Sequence, residues 1–130
     1  MSTSDSIQGT LYARLGGYDA IAALTDDLLR RLTADPEIGV YWRGHSADSM
    51  KRDRQLVVDF LASAFGGPVV YRGRDMKTSH VGLRITETDW QIFVKHAVAT
   101  LDSFDIHGTE RDEFLTAAES LKGDIVEAPA

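Results

Sequence analysis

The sequence predicts an all-α protein, and three observations carry that expectation. Apolar residues recur at helical spacing in four long segments, and two of those segments open on cap motifs. The one strand-like run, Val69-Val70-Tyr71, is too short and isolated to build a sheet. In 19–33, Ile21, Leu24, Leu28 and Leu32 follow i, i+3, i+7 and i+11 and line one face. In 48–65, Met50, Val57, Phe60, Leu61 and Ala64 form a second stripe. A short helix over 75–82 follows a stretch rich in turn residues and bases, GGPVVYRGRDMKTSH. Segment 87–103 carries Trp90, Phe93, Val94, Ala97, Val98 and Leu101, and segment 109–126 carries Phe114, Ala117, Ala118, Leu121 and Ile125. Thr86-x-x-Asp89 and Thr109-x-x-Asp112 have the spacing of N-terminal caps with an acid in the first turn. At 1.5 Å per residue the long helices span about 22–27 Å.

The length of 130 residues suits one domain over 1–130, with 1–10 as a polar N-terminal extension. The chain has no cysteine, which excludes disulfides, Cys-ligated zinc or iron–sulfur sites, thioether-attached prosthetic groups and thiol nucleophiles. The opening MSTSDSIQGT lacks the order of a signal peptide, and no apolar run approaches the roughly 20 residues of a membrane helix. The expectation is a cytoplasmic protein without a membrane partner. A formal net charge of −6 disfavours nucleic acid. The charge is uneven, however. Residues 43–84 hold eight basic and four acidic side chains, a local +4 in a chain that is −10 elsewhere. That basic island is either a solvated face or gathers around something anionic.

Several chemistries find no residues to carry them. No Glu is followed by a His three positions later, and His45, His80, His96 and His107 are never four apart, so the di-iron and two-histidine metal motifs fail. There is no phosphate-cradling Gly-rich loop and no nucleophile elbow. His80 is different. It closes Asp75-Met76-Lys77-Thr78-Ser79-His80, one turn after Met76, so both can face the same way. A lone histidine is usually a satisfied surface or core residue. Its surroundings favour a ligand. Trp42, Phe60, Met76, Ile85, Trp90 and Phe93 could wall a flat apolar cofactor, and the basic island offers partners for anionic ends. Haem b fits both, with an apolar macrocycle, an iron that takes imidazole and two propionates. The same aromatic set is equally compatible with an ordinary core.

At these residues the sequence resembles the first group of the truncated haemoglobins, the two-over-two helical globins. The resemblance runs over about residues 11–126. It is carried by Leu11-Tyr12-x-x-Leu15-Gly16-Gly17, by Phe60-Leu61 leading into Gly66-Gly67-Pro68, and by Tyr71-x-Gly73-x-x-Met76-Lys77-x-x-His80, with Ile85-Thr86 and Asp89-Trp90 opening the next helix. It implies a two-over-two helical sandwich that reversibly binds oxygen, NO or CO at the iron. It also implies that His80 is the proximal ligand, bound through neutral Nε2, with Nδ1–H held by a backbone carbonyl near Met76. Tyr71, Arg74 and Lys77 match the propionate side, and their plain alternative is a solvated loop. Val57, Phe60, Leu61 and the apolar residues named above match the pocket walls.

The departures bear on mechanism. Family members usually place a tyrosine on the second helix and a glutamine on the distal wall. The matching positions here are Leu29 and Val57, with Asp53 one turn before Val57 and Trp42 preceded by Tyr41 at the distal corner. An apolar distal pocket would lose a hydrogen bond of roughly 1.5–3 kcal/mol to the bound ligand. Oxygen retention would then be weaker by about one to two decades. That disfavours storage and leaves sensing, NO dioxygenation or peroxidase-like turnover with a separate reductase. A rival from another class is a haem-free helical interaction module that kept the fold.

Overall fold

In the computed structural model, residues 9–128 are described. They form seven α-helices and one 3-10 turn: α1 (Leu11–Leu15), α2 (Tyr18–Ala34), the 3-10 turn (Gly39–Trp42), α3 (Ala47–Ala64), α4 (Met76–His80), α5 (Glu87–Ser103), α6 (Gly108–Glu119) and α7 (Lys122–Ile125). Most of the polar extension expected over 1–10 lies outside the described residues. Thr10 belongs to the fold, because its side chain accepts from the Ala13 N–H and caps α1.

Helix α2 follows the sequence pattern closely. Ile21, Leu24, Leu28 and Leu32 are all buried, and Thr25 joins them by donating its hydroxyl to the Ile21 carbonyl at 2.8 Å. The helix packs against α3 and α5, α1 against α6, and α4 against α7. The second glycine pair, Gly66-Gly67, packs against Thr10 and Tyr12 at the start of α1. Tyr12 N–H donates to the Phe65 carbonyl at 2.9 Å, and a Cβ on Gly67 would lie 2.5 Å from the Tyr12 ring. Gly16, at φ +117°, turns α1 into α2, and a Cβ added to it would lie 2.9 Å from the Ala20 Cβ.

Helix α3 differs from the expectation in rotation. Val58, Ala62 and the following Phe65 enter the core, while Val57, Phe60 and Leu61 are half-buried and Ala64 is exposed. The stripe read from the sequence thus flanks the core instead of entering it, since a helix residue one position on points about 100° away. Helix α5 begins as expected, with a complete capping box between Thr86 and Asp89. The Thr109 cap is not made. Helix α6 already starts at Gly108, after the extended His107, so Thr109 lies inside the first turn. The single helix expected over 109–126 is also broken. The Ser120 hydroxyl donates to the Ala117 carbonyl at 2.6 Å, the chain turns at Leu121, and α7 brings Ile125 into a buried position. Helix α1 and the 3-10 turn are further elements that the periodicity did not show. The 3-10 turn is set up by the Asp35 carboxylate, which accepts from the Glu37 and Ile38 N–H groups at 2.8 and 3.1 Å. Among the described residues no helix is long and apolar enough to cross a membrane.

One polar cluster ties α2 to α5. Asp27 accepts from Arg31 and from the Thr100 hydroxyl, both at 2.8 Å, and Arg31 also reaches Ser103 at 2.7 Å. Burial raises the Asp27 pKa, but the hydrogen bonds from Arg31, Thr100 and Arg30 outweigh it and hold the carboxyl below its usual range. A folded pKa below the unfolded one means that stability is present above about pH 4 and is lost as pH falls through the folded value. Asp27→Ala is expected to lower unfolding free energy by about 2 kcal/mol, because the buried Thr100 hydroxyl would lose its acceptor and the half-buried Arg31 its carboxylate partner. Urea unfolding at pH 7 and at pH 3 checks both statements: the gap between variant and parent should shrink at the lower pH.

Candidate haem site

Helix α4 is five residues long, and the Asp75 side chain caps it by accepting from the Thr78 N–H at 2.6 Å. At its other end His80 is half-buried, with Nδ1 2.8 Å from the Met76 carbonyl and 2.9 Å from the Ser79 hydroxyl. A carbonyl can only accept, so Nδ1 carries the proton of that bond, and in the neutral ring Nε2 keeps its lone pair. This is the partner that the sequence reading expected one turn back. The other three histidines are arranged differently. His45 Nδ1 lies 3.1 Å from Asp53, His96 Nε2 lies 2.7 Å from Asp35, and His107 Nε2 lies 2.7 Å from Asp105. Each of those rings sits against a carboxylate, whereas the His80 ring is oriented by a backbone carbonyl. Among the described residues no cluster of three or more His, Asp or Glu could hold a bare metal ion. An ion bound here needs most of its ligands from elsewhere, as a porphyrin supplies them.

The other expected site residues fall into groups. Phe60 on α3 meets Tyr71 edge-on, with ring centroids 5.2 Å apart and planes at 78°. The Tyr71 hydroxyl donates to the Arg74 carbonyl at 2.6 Å and so closes its own loop. Met76 and Ile85 are half-buried, as are Val57, Leu61, Trp42 and Phe93. This is a set of apolar side chains that the core does not fully cover. Trp90 is more deeply placed, at 5% exposure, with its ring against Phe93 at 5.1 Å and its indole N–H directed to Glu119 on α6 at 3.3 Å. Phe93 also lines a cavity of about 400 Å³ between α5 and α6, together with Val94, Ala97 and Leu115.

The charged partners also separate. Ion pairs hold Arg14, Arg30, Arg31, Arg54, Arg111 and Lys122. Of the eight cations without such a partner among the described residues, seven lie in the basic island: Arg43, Lys51, Arg52, Arg72, Arg74, Lys77 and Arg84. Three of these, Arg72, Arg74 and Lys77, directly precede His80.

The described residues thus combine an all-helical fold, an imidazole oriented by a backbone carbonyl, a set of half-buried apolar side chains and a run of cations without ion-pair partners. The model of the bacterial-like globin family matches residues 10–127. The chain belongs to this family. The globin is 30% identical to a group 1 truncated haemoglobin of Chlamydomonas moewusii over 122 residues, 92% of this chain and 70% of that one. It is 29% identical to a group 1 truncated haemoglobin of Nostoc commune, covering 90% of this chain and 97% of that one. Among solved structures, the Fe(III) truncated haemoglobin of Tetrahymena pyriformis superposes with a TM-score of 0.82 at 23% identity, covering 90% and 97% of the two chains. The 2/2 haemoglobin of Synechococcus sp. gives 0.81 at 23% identity, covering 91% and 98%. The fold is therefore that of the truncated globins, and the globin is a haem-binding protein of the group 1 type that takes diatomic ligands such as oxygen.

Of the residues that the resemblance assigns to the distal side, Leu29 on α2 is half-buried and packs against the core, and Val57 on α3 is half-buried. The Tyr41 hydroxyl donates to Asp89 at 2.6 Å. Burial and then the Asp89 carboxylate push the Tyr41 phenol up to about 12. Burial raises the Asp89 carboxyl, yet hydrogen bonds from Tyr41 and Thr86 bring it below its usual range. Asp53 is engaged with His45. Of the polar residues expected at this wall, Tyr41 and Asp53 are thus committed to other partners in the structure. Sequence reasoning missed that Asp89 serves both as the α5 cap and as the anchor of the 3-10 turn. The capping spacing was visible, but nothing local to it announces a phenol 48 residues away.

Proposed function

We propose that the globin carries haem b, that His80 is its protein ligand through Nε2, and that it binds oxygen or another diatomic ligand with weak retention. The observation that supports this most directly is the Nδ1–H bond of His80 to the Met76 carbonyl, which orients the ring with Nε2 away from any carboxylate partner among the described residues, while the other histidines face aspartates. Bound haem would supply an iron centre that the His80 imidazole would hold and that would take the gas ligand. Val57, Phe60, Leu61, Met76, Ile85 and Phe93 would exclude water from the macrocycle, and Trp90 would back that wall from within the core. Lys77 and Arg74, exposed and unpaired, would meet the propionates, while Tyr71 holds their loop in shape through the Arg74 carbonyl.

The distal assignment supports turnover over storage. Leu29 and Val57 offer no hydrogen bond, and the Tyr41 and Asp53 side chains are engaged elsewhere. NO dioxygenation or peroxidase-like chemistry is the enzymatic form of this reading, with a separate reductase as partner. Its cytoplasmic location belongs to the same reading and is supported by a cysteine-free sequence that needs no oxidising compartment.

The deciding experiment is an absorption spectrum of the purified protein, ferric and then reduced, before and after adding haem. An intense Soret band supports the reading, and its absence after haem addition leaves a haem-free helical module. A second test addresses the cations. Lys77→Glu is expected to speed haem transfer to an acceptor protein about tenfold by placing like charge beside a propionate, whereas Lys95→Glu on α5 should leave the rate unchanged. Equal rates for the two variants would remove Lys77 from the site.

A further inference from the structure

We propose that Glu127 is a positioning residue for the proximal histidine, holding from the C-terminal tail the loop that follows His80. The inference rests on the reading of His80 as the haem ligand.

Helix α4 contains a single turn and cannot hold itself, because helix nucleation is unfavourable in so short a segment. Its start is secured by the Asp75 cap. Its end runs into residues 81–84, where Gly82 has φ +88° and Arg84 has φ +57°, a region that non-glycine residues seldom enter. Such a loop persists only when its surroundings over-determine it.

The tail supplies that determination. One Glu127 carboxylate oxygen accepts from the Gly82 N–H at 3.1 Å, and the other accepts from the Arg84 N–H at 2.9 Å. Both oxygens of one side chain thus clasp the loop from opposite sides of Leu83. The backbone adds to the clasp. Glu127 and Ala128 N–H groups both donate to the Ile85 carbonyl, at 2.9 and 3.2 Å, and Thr86 pairs with Ala128 as an isolated bridge. The tail is itself anchored by the burial of Ile125 and by Lys122, whose ammonium lies 2.7 Å from Glu87 at the start of α5. The loop therefore sits between His80 and a clamp fixed to the next helix. The two bonds to backbone N–H groups also hold the Glu127 carboxyl below its usual range.

A side chain that holds the segment carrying a metal ligand restricts how far the ligand can tilt. The full chain should be loaded with haem as the parent, Glu127→Ala and Glu127→Gln. The alanine variant removes both acceptors, and glutamine keeps one. Three quantities are read: the iron–histidine stretching band of the reduced protein, the rate of haem transfer to excess apomyoglobin, and the thermal midpoint of the haem-free chain. Glu127→Ala is expected to shift and broaden the band and to speed haem loss about tenfold, the scale on which outer partners of metal ligands act. Glu127→Gln is expected to fall between, and the haem-free midpoint to move little, since the clasp is a local unit. An unchanged band and rate in Glu127→Ala would overturn the proposal, as would a lowered midpoint with an unchanged band. If the parent takes up no haem, or if His80→Ala keeps the parent band, the reading of the site itself fails. If the parent and His80→Ala behave as expected and only the Glu127 variants match the parent, this proposal alone fails.

Discussion

His80→Ala is expected to release haem at least about a hundredfold faster than the parent globin and to lose its iron–histidine band. The floor follows from outer partners of a metal ligand, which alone are worth roughly 10–100-fold, so removal of the ligand itself exceeds that range. The apolar rim would still bind the macrocycle weakly, and added imidazole should restore part of the Soret spectrum by filling the void. His96→Ala serves as the comparison. His96 is paired with Asp35 at 2.7 Å between α5 and the end of α2, so its loss should act on the fold and leave the Soret band in place. Transfer of haem to an acceptor, followed by absorption, separates the two. Equal haem loss from both variants would show that the imidazole of His80 has no special place.

The second large effect concerns ligand retention. Leu29→Tyr is expected to slow oxygen release about 10–100-fold. Leu29 is half-buried on α2, at the position where the resemblance implies a tyrosine, and the Tyr41 phenol is tied to Asp89. A phenol donor restores a hydrogen bond of about 1.5–3 kcal/mol to a ligand that accumulates negative charge. At 1.4 kcal/mol per decade this gives the stated range. Carbon monoxide is a poor acceptor, so its release should change far less. Flash photolysis of both ligands therefore distinguishes hydrogen bonding from crowding: equal changes for the two gases would mean that the larger side chain acts by bulk alone. The converse change at Tyr41 is also informative, because Tyr41→Phe would leave oxygen release nearly unaltered if the phenol stays with Asp89.

Much of the globin was legible before its structure. The stripe Ile21, Leu24, Leu28 and Leu32 is buried as its spacing requires, and the Thr86–Asp89 capping box opens α5 at the expected place. Position in the chain was enough for these, because a helix relates neighbours three and four apart by its own geometry. The His80–Met76 relation belongs to the same class, being one turn long. Helix α3 shows where this reasoning stops. Met50, Val57, Phe60, Leu61 and Ala64 share a face, yet the core takes Val58, Ala62 and Phe65. Periodicity reports that an apolar face exists, not which neighbour claims it.

Composition and local spacing by themselves determined the all-α class, the absence of thiol chemistry, the basic island and an imidazole one helical turn after Met76. Tertiary structure alone decided which cations lack an ion-pair partner among the described residues, which carboxylate takes the Tyr41 phenol and which one holds the loop after His80. Tyr41 meets Asp89 across 48 residues and Glu127 meets Gly82 across 45. The physical reason is the same in each case. A hydrogen bond within one helical turn is dictated by backbone geometry, whereas a carboxylate finds a distant donor only after packing has brought the two segments together.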